Sequence, residues 1–123
     1  MVSPRAVYVV DTDASVRKGL SRLAASAGFE PMPCASAEAF VGEVRAGNAA
    51  CALLDLSDLG LRNAEVRIRV SVVATWLPVI ALSARDDAQT RAMARELGAR
   101  AFFRKPVDAA ALFDSIAWVT RST

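Results

Sequence analysis

Four side chains suited to phosphoryl chemistry close four of the apolar runs of the chain. VYVVDTDAS (residues 7–15) carries four apolar residues into Asp11, Thr12 and Asp13. ALLD ends on Asp55, VIALS on Ser83, and AFFRK on Lys105, which Pro106 follows. A carboxylate can accept a phosphoryl group, a second acid can hold Mg²⁺, and a hydroxyl with an ammonium can bind phosphate oxygens. Each residue alone has a plainer explanation, since an Asp after a strand commonly shapes a turn or caps a helix. Four complementary groups on one rim are better explained by a shared site. The chain has no histidine and no CxxC, which removes zinc centres and Ser-His-Asp catalysis from consideration.

Positioning these groups requires apolar strands joined by amphipathic crossovers. The apolar runs are 6–10, about 30–34, 50–54, 78–82 and 100–104, with amphipathic stretches 14–27, 36–46, 64–75, 86–98 and 108–120 after them. In the first stretch Val16, Leu20, Leu23 and Ala27 share a helical face, and Gly28 stands where a helix ends. Met93 and Leu97 share a face ahead of Gly98, and Leu112, Ile116 and Val119 form the last stripe behind Asp108, placed as an N-cap. EVRIRVSVV (65–73) is ambiguous, because it alternates like a strand yet also aligns Val66, Val70, Val73 and Leu77 helically. Parallel neighbours need a crossover of a dozen or so residues, so a helix is predicted there despite the β-branched side chains. Five strands alternating with five helices give an α/β fold with a parallel sheet, and reactive groups in such sheets gather at the carboxyl ends of the strands.

Bulk properties agree. A chain of 123 residues, 54% hydrophobic and 23% charged, fits one globular domain spanning 1–123. No apolar run approaches a membrane span, and MVSPRAVYVVD has no signal core. Two cysteines, Cys34 and Cys51, fit core positions in a reducing cytoplasm. A net charge of +2 gives no argument for nucleic acid.

VYVVDTDASVRKGL, ALLDL, LPVIALSA and LGARAFFRKP, in this order, resemble the receiver domain of bacterial two-component response regulators over residues 5 to 120. The resemblance implies a flavodoxin-like parallel sheet of order 2-1-3-4-5 flanked by five helices. It makes Asp55 the phosphoacceptor for a sensor histidine kinase or phosphotransfer protein. Asp11 becomes the first of the family's acid pair, a Mg²⁺ ligand with Asp55 and the Ser57 backbone carbonyl. Ser83 corresponds to the switch hydroxyl, Lys105 to the lysine that pairs with the phosphoryl group, and Phe102 to the switch aromatic. Pro106 follows a cis peptide in that family. The implied readout is a change in the surface of the fourth helix, fifth strand and fifth helix, the family's usual place for a homodimer or output domain. Direct nucleic-acid binding by this chain is not implied.

The sequence departs from the family at several positions. Thr12 stands where the second, metal-binding acid belongs and offers a hydroxyl without a charge. Asp13 reads as a helix cap. Asp58 would add negative charge near the site, and Asn63 replaces a glycine whose positive φ an Asn tolerates. Phe102 replaces the commoner tyrosine. Two alternatives remain open: a phosphorylation-independent interaction module, and a haloacid-dehalogenase-like phosphatase with Asp11 as nucleophile and Asp13 as acid. Arg85, Arg91, Arg95, Arg100 and Arg104 cluster on the predicted fourth helix and fifth strand, as a solvated face or one meeting an acidic partner. Trp118 fits either core or an exposed anchor.

Overall fold

The computed structural model describes residues 4–121. Strand β1 (Ala6–Val10) leads to helix α1 (Ala14–Ser26), β2 (Glu30–Cys34), α2 (Ala37–Glu43) and β3 (Ala49–Asp55). A 3₁₀ turn (Leu59–Arg62) precedes α3 (Ala64–Val73), β4 (Val79–Ser83), α4 (Ala88–Glu96), β5 (Ala101–Arg104) and α5 (Ala109–Arg121). All strand pairs are parallel, in the order β2-β1-β3-β4-β5. This is the flavodoxin-like receiver fold.

The period-2 alternation of the buried strands splits the core between the sheet's two faces. Tyr8, Val10, Ala52, Leu54, Val79 and Ala81 face Phe40 of α2, Val66 and Val70 of α3, and Leu97 after α4. Val7, Val9, Leu53, Ile80 and Leu82 face Leu20 and Ala24 of α1 and Leu112, Ile116 and Val119 of α5. Phe40, Leu53, Ile80 and Leu112 are among the largest fully buried side chains, each contributing about 2 kcal/mol through area removed from water.

The ambiguous stretch is helical, because β3 and β4 pair in parallel and need a crossover. Its polar positions are too few to leave a clean wet face: Val66, Val70 and Val73 are buried while Ile68 and Val72 are exposed. Helix α2 ends at Glu43, short of the predicted 46, where Val44 turns extended and the Tyr8 hydroxyl accepts the Arg45 N–H at 3.1 Å. Helix α4 begins at Ala88 because Asp87 caps it, its carboxylate accepting the Thr90 N–H at 2.8 Å. Asp108 precedes α5 as expected, its carbonyl accepting the Leu112 N–H.

Edge strand β2 carries two prolines. The Glu30 N–H donates to the Arg5 carbonyl at 2.9 Å, so even-numbered residues of β2 turn their amides toward β1. Pro31 and Pro33, opposite Val7 and Val9, therefore present their N–H-less nitrogens to the free side.

Candidate functional site

Strand register brings the singled-out residues to one rim. Val10 lies opposite Leu54, Asp55 opposite Leu82, and Ser83 opposite Arg104. Asp11, Asp55, Ser83 and Lys105 thus leave the sheet within a residue of a common level. Asp11, Asp55 and Ser83 are buried, with exposures of 1%, 3% and 3%.

The Lys105 ammonium lies between the two carboxylates. Its Nζ is 2.6 Å from Asp11 Oδ2 and 3.4 Å from Asp55 Oδ1. Two buried like charges at this spacing are tolerable because one cation serves both. The Lys105 N–H donates to the Ser83 carbonyl at 2.8 Å, and the Lys105–Pro106 peptide is cis, as the resemblance implies. The remaining oxygen of Asp11, Oδ1, accepts the Asp13 N–H at 2.9 Å.

Around Asp55 the next contributor is Ser57. Its N–H donates to Asp55 Oδ1 at 3.2 Å and its hydroxyl to Oδ2 at 2.7 Å. Sequence reading assigned Ser57 only a carbonyl role; the hydroxyl contact follows from an i to i+2 turn, for which a Ser two residues after an Asp is the available signal. The Ser83 hydroxyl accepts the Arg85 N–H at 3.0 Å, which leaves its own proton free to be donated. An open cleft of about 440 Å³ begins at Ser57 and Ser83 and continues past Leu59, Arg62, Arg85 and Met93.

Three neighbouring expectations are refined. Asp13 caps α1, accepting the Ser15 and Val16 N–H groups at 2.9 and 3.2 Å, and its carboxylate is thereby committed to backbone rather than aimed at Asp11. Asp58, expected to add charge near the site, lines the cleft with Ser57 and Ser83, and its carboxylate is tied to backbone: the Ala37 N–H donates to Oδ2 at 2.5 Å and the Gly60 N–H to Oδ1 at 2.8 Å. Asn63 has φ −78°, not a positive φ, and caps α3 by accepting the Glu65 and Val66 N–H groups. Thr12 is exposed beside the acids.

Phe102 is half-buried on β5, and the Arg91 guanidinium sits 5.0 Å from its ring centroid. Arg91 also pairs with Asp86, whose carboxyl it holds below the usual carboxylate range by hydrogen bonding. The arginine cluster is therefore partly self-neutralised, Arg85 pairing with Asp87 at 2.7 Å. Trp118 is exposed on α5 at 62%, which decides against the core alternative.

Comparison with known proteins gives this arrangement a family. The model of the response regulator receiver domain matches residues 7–117. The chain belongs to that family. The receiver is 33% identical over 110 residues to the transcriptional regulatory protein TdiR of Thauera aromatica, covering 89% of this chain and 48% of TdiR. It is 29% identical over 102 residues to the transcriptional regulatory protein FixJ of Bradyrhizobium diazoefficiens, covering 83% of this chain and 50% of FixJ. A solved receiver protein from Burkholderia phymatum superposes with a TM-score of 0.73 at 30% identity, covering 95% of each chain. The receiver spans about half the length of the curated relatives it matches.

Receiver domains bind Mg²⁺ at an acidic pocket. Among the described residues no group of three or more His, Cys, Asp or Glu side chains is placed to hold a metal, so this receiver offers two carboxylates, Asp11 and Asp55. Mg²⁺ is commonly held by one or two carboxylates with waters and phosphate oxygens, so the donor set fits. No helix among the described residues is long and apolar enough to cross a membrane.

Proposed function

We propose that this receiver accepts a phosphoryl group on Asp55 from a phosphohistidine of a sensor histidine kinase or phosphotransfer protein. The observation that carries this reading is the buried Asp55 carboxylate facing Lys105 Nζ at 3.4 Å and hydrogen-bonded to Ser57, which lines the cleft. An Asp55 oxygen forms the new P–O bond as the P–N bond breaks, and the imidazole nitrogen keeps the bonding pair and takes a proton. The product is an acyl phosphate. For attack through Oδ2, the Ser57 hydroxyl turns away from that oxygen. Lys105 then shifts from the carboxylates to the added phosphoryl oxygens, a positioned cation where charge accumulates. The Ser83 hydroxyl donates its free proton to another phosphoryl oxygen. Asp11, Asp55 and the Ser57 carbonyl would hold Mg²⁺, with the Thr12 hydroxyl at the rim; the ion supplies charge neutralisation during transfer.

Ser83 moving toward the phosphoryl group draws on the Arg85 N–H, and Arg85 pairs with Asp87, the cap of α4. Arg91, on the next turn of α4, covers Phe102. The path from charge to surface thus runs through α4 to β5, a segment that the added charge biases between two arrangements. The α4-β5-α5 surface, with Trp118 exposed on it, is where a second receiver or an output domain docks.

One observation favours a second reading, a phosphorylation-independent module: with Thr12 in place of an acid, only Asp11 and Asp55 remain, and both are engaged by Lys105. Intact-mass spectrometry after incubation with acetyl phosphate and Mg²⁺ separates the readings. One phosphoryl adduct on the native receiver and none on Asp55→Asn is expected. No adduct at saturating Mg²⁺, or an adduct that survives Asp55→Asn, overturns the phosphoacceptor role.

A further inference from the structure

The two oxygens of Asp55 are held in different ways. Oδ1 accepts the Ser57 N–H at 3.2 Å and faces Lys105 Nζ at 3.4 Å. Oδ2 accepts the Ser57 hydroxyl at 2.7 Å. A backbone N–H leaves its acceptor only if the turn after β3 moves, whereas a hydroxyl leaves by rotation about one side-chain bond between staggered positions. Ser57 is exposed and lines the cleft, so its rotated hydroxyl meets water. Oδ2 is therefore the oxygen that can be uncovered for attack, and the Ser57 hydroxyl is the group that covers it.

A hydrogen bond from this hydroxyl to an ionised oxygen is of the short, strong kind, and it draws on the electron pair that attack requires. The transition state does not regain it. The incoming phosphoryl oxygens have the Lys105 ammonium beside Asp55 and the Ser83 hydroxyl, whose proton is uncommitted, as donors. The displaced Ser57 hydroxyl turns to water instead. An interaction made in the resting state and absent from the transition state slows the reaction.

We propose that the Ser57 hydroxyl restrains Asp55, masking its attacking oxygen and setting the rate at which the receiver takes up a phosphoryl group. The proposal rests on Asp55 being the phosphoacceptor. With acetyl phosphate, the bond from Asp55 Oδ2 to phosphorus forms as the bond from phosphorus to the acetyl oxygen breaks. Acetate leaves with that bonding pair, and Ser57 keeps its proton throughout, so it acts as a cover and not as a base. A phosphohistidine donor meets the same restraint.

Two variants test it. Ser57→Ala removes the hydroxyl and keeps the N–H and the carbonyl, while Ser57→Thr keeps all three groups. Initial rates of adduct formation with acetyl phosphate at saturating Mg²⁺ are read by intact-mass spectrometry. Ser57→Ala should react about tenfold faster than the native receiver, the worth of one hydrogen bond to a charged acceptor. Ser57→Thr should keep the native rate, and amide spectra of both variants should show the turn unchanged. An unchanged or lower rate in Ser57→Ala, with the adduct still on Asp55, overturns the restraint and leaves Asp55 as phosphoacceptor. An equal gain in both variants also overturns it, because the effect then comes from the turn and not from the hydroxyl. No adduct on the native receiver or on either variant overturns the restraint together with the role of Asp55.

Discussion

Replacing Asp58 with alanine should destabilise the receiver by about 3 kcal/mol while leaving Asp55 and Lys105 in place. Asp58 is 7% exposed and accepts two backbone N–H groups, from Ala37 at the start of α2 and Gly60 in the 3₁₀ turn. A hydrogen bond to a charged acceptor contributes about 1.5–3 kcal/mol net, and a stranded buried donor costs a similar amount. Ala37 is fully buried, so its N–H gains no water in the variant; Gly60 is half-buried and recovers part of the loss. About 2 kcal/mol for the first and about 1 kcal/mol for the second gives the sum. In a domain of this size that lowers Tm by roughly 10 °C. Asp58→Asn, with one amide oxygen, should lose about half as much. Urea unfolding followed by circular dichroism reads the change as a shift in midpoint at constant slope. Amide exchange should accelerate most at Ala37 and Gly60. A loss below about 1 kcal/mol, combined with faster uptake of phosphoryl from acetyl phosphate, refutes the structural tie and restores Asp58 as a charge acting on the site.

Two further outcomes follow from the site and from the cap of α4. Lys105→Met leaves Asp11 and Asp55 buried without their cation and should cost about 3 kcal/mol in urea unfolding. Adding Asp11→Asn should recover part of that loss, and an additive double-mutant cycle would deny that the lysine serves both acids. The Asp87 carboxyl is pulled down to about 2, chiefly by the Thr90 hydroxyl and N–H and then by Arg85. A depressed carboxyl stabilises the fold fully above its unfolded value near 3.8 and loses that contribution as pH falls through about 2. The Thr90 amide shift should therefore titrate with a midpoint near 2 and lose that inflection in Asp87→Asn; a midpoint near 4 contradicts a charge-based cap.

The α/β alternation was legible because the central strands β1, β3 and β4 are buried on both faces and read as unbroken apolar runs. Asp11, Asp55, Ser83 and Lys105 were legible for a related reason: strand ends are where a parallel sheet exposes chemistry. The ambiguous stretch shows the limit of periodicity. Residues 65–73 are apolar on opposite sides of the helix, so strand and helix templates fit about equally, and only the parallel pairing of β3 with β4 selects the helix. Loop chemistry was less visible. Asp58 reaches Ala37, 21 residues away, and such a contact exists only once α2 has packed beside the 3₁₀ turn. Asn63 looked like a glycine substitute because Asn tolerates both a positive φ and a helix N-cap, and the nearby start of α3 decided between them. The exposure of Ile68, Val72 and Trp76 had no local signal, since burial depends on what the neighbouring helices leave uncovered.

The prolines of β2 bear on how the sheet meets other chains. A bare strand edge offers free amides and carbonyls on which another chain can add, the route by which β-proteins stick to one another. Along β2, two successive outward positions lack the amide such an incoming strand would need. The opposite margin, β5 (Ala101–Arg104), contains no proline. The two margins are thus blunted by different means, β2 by missing amides and β5 by its four-residue length and the exposed charge of Arg104.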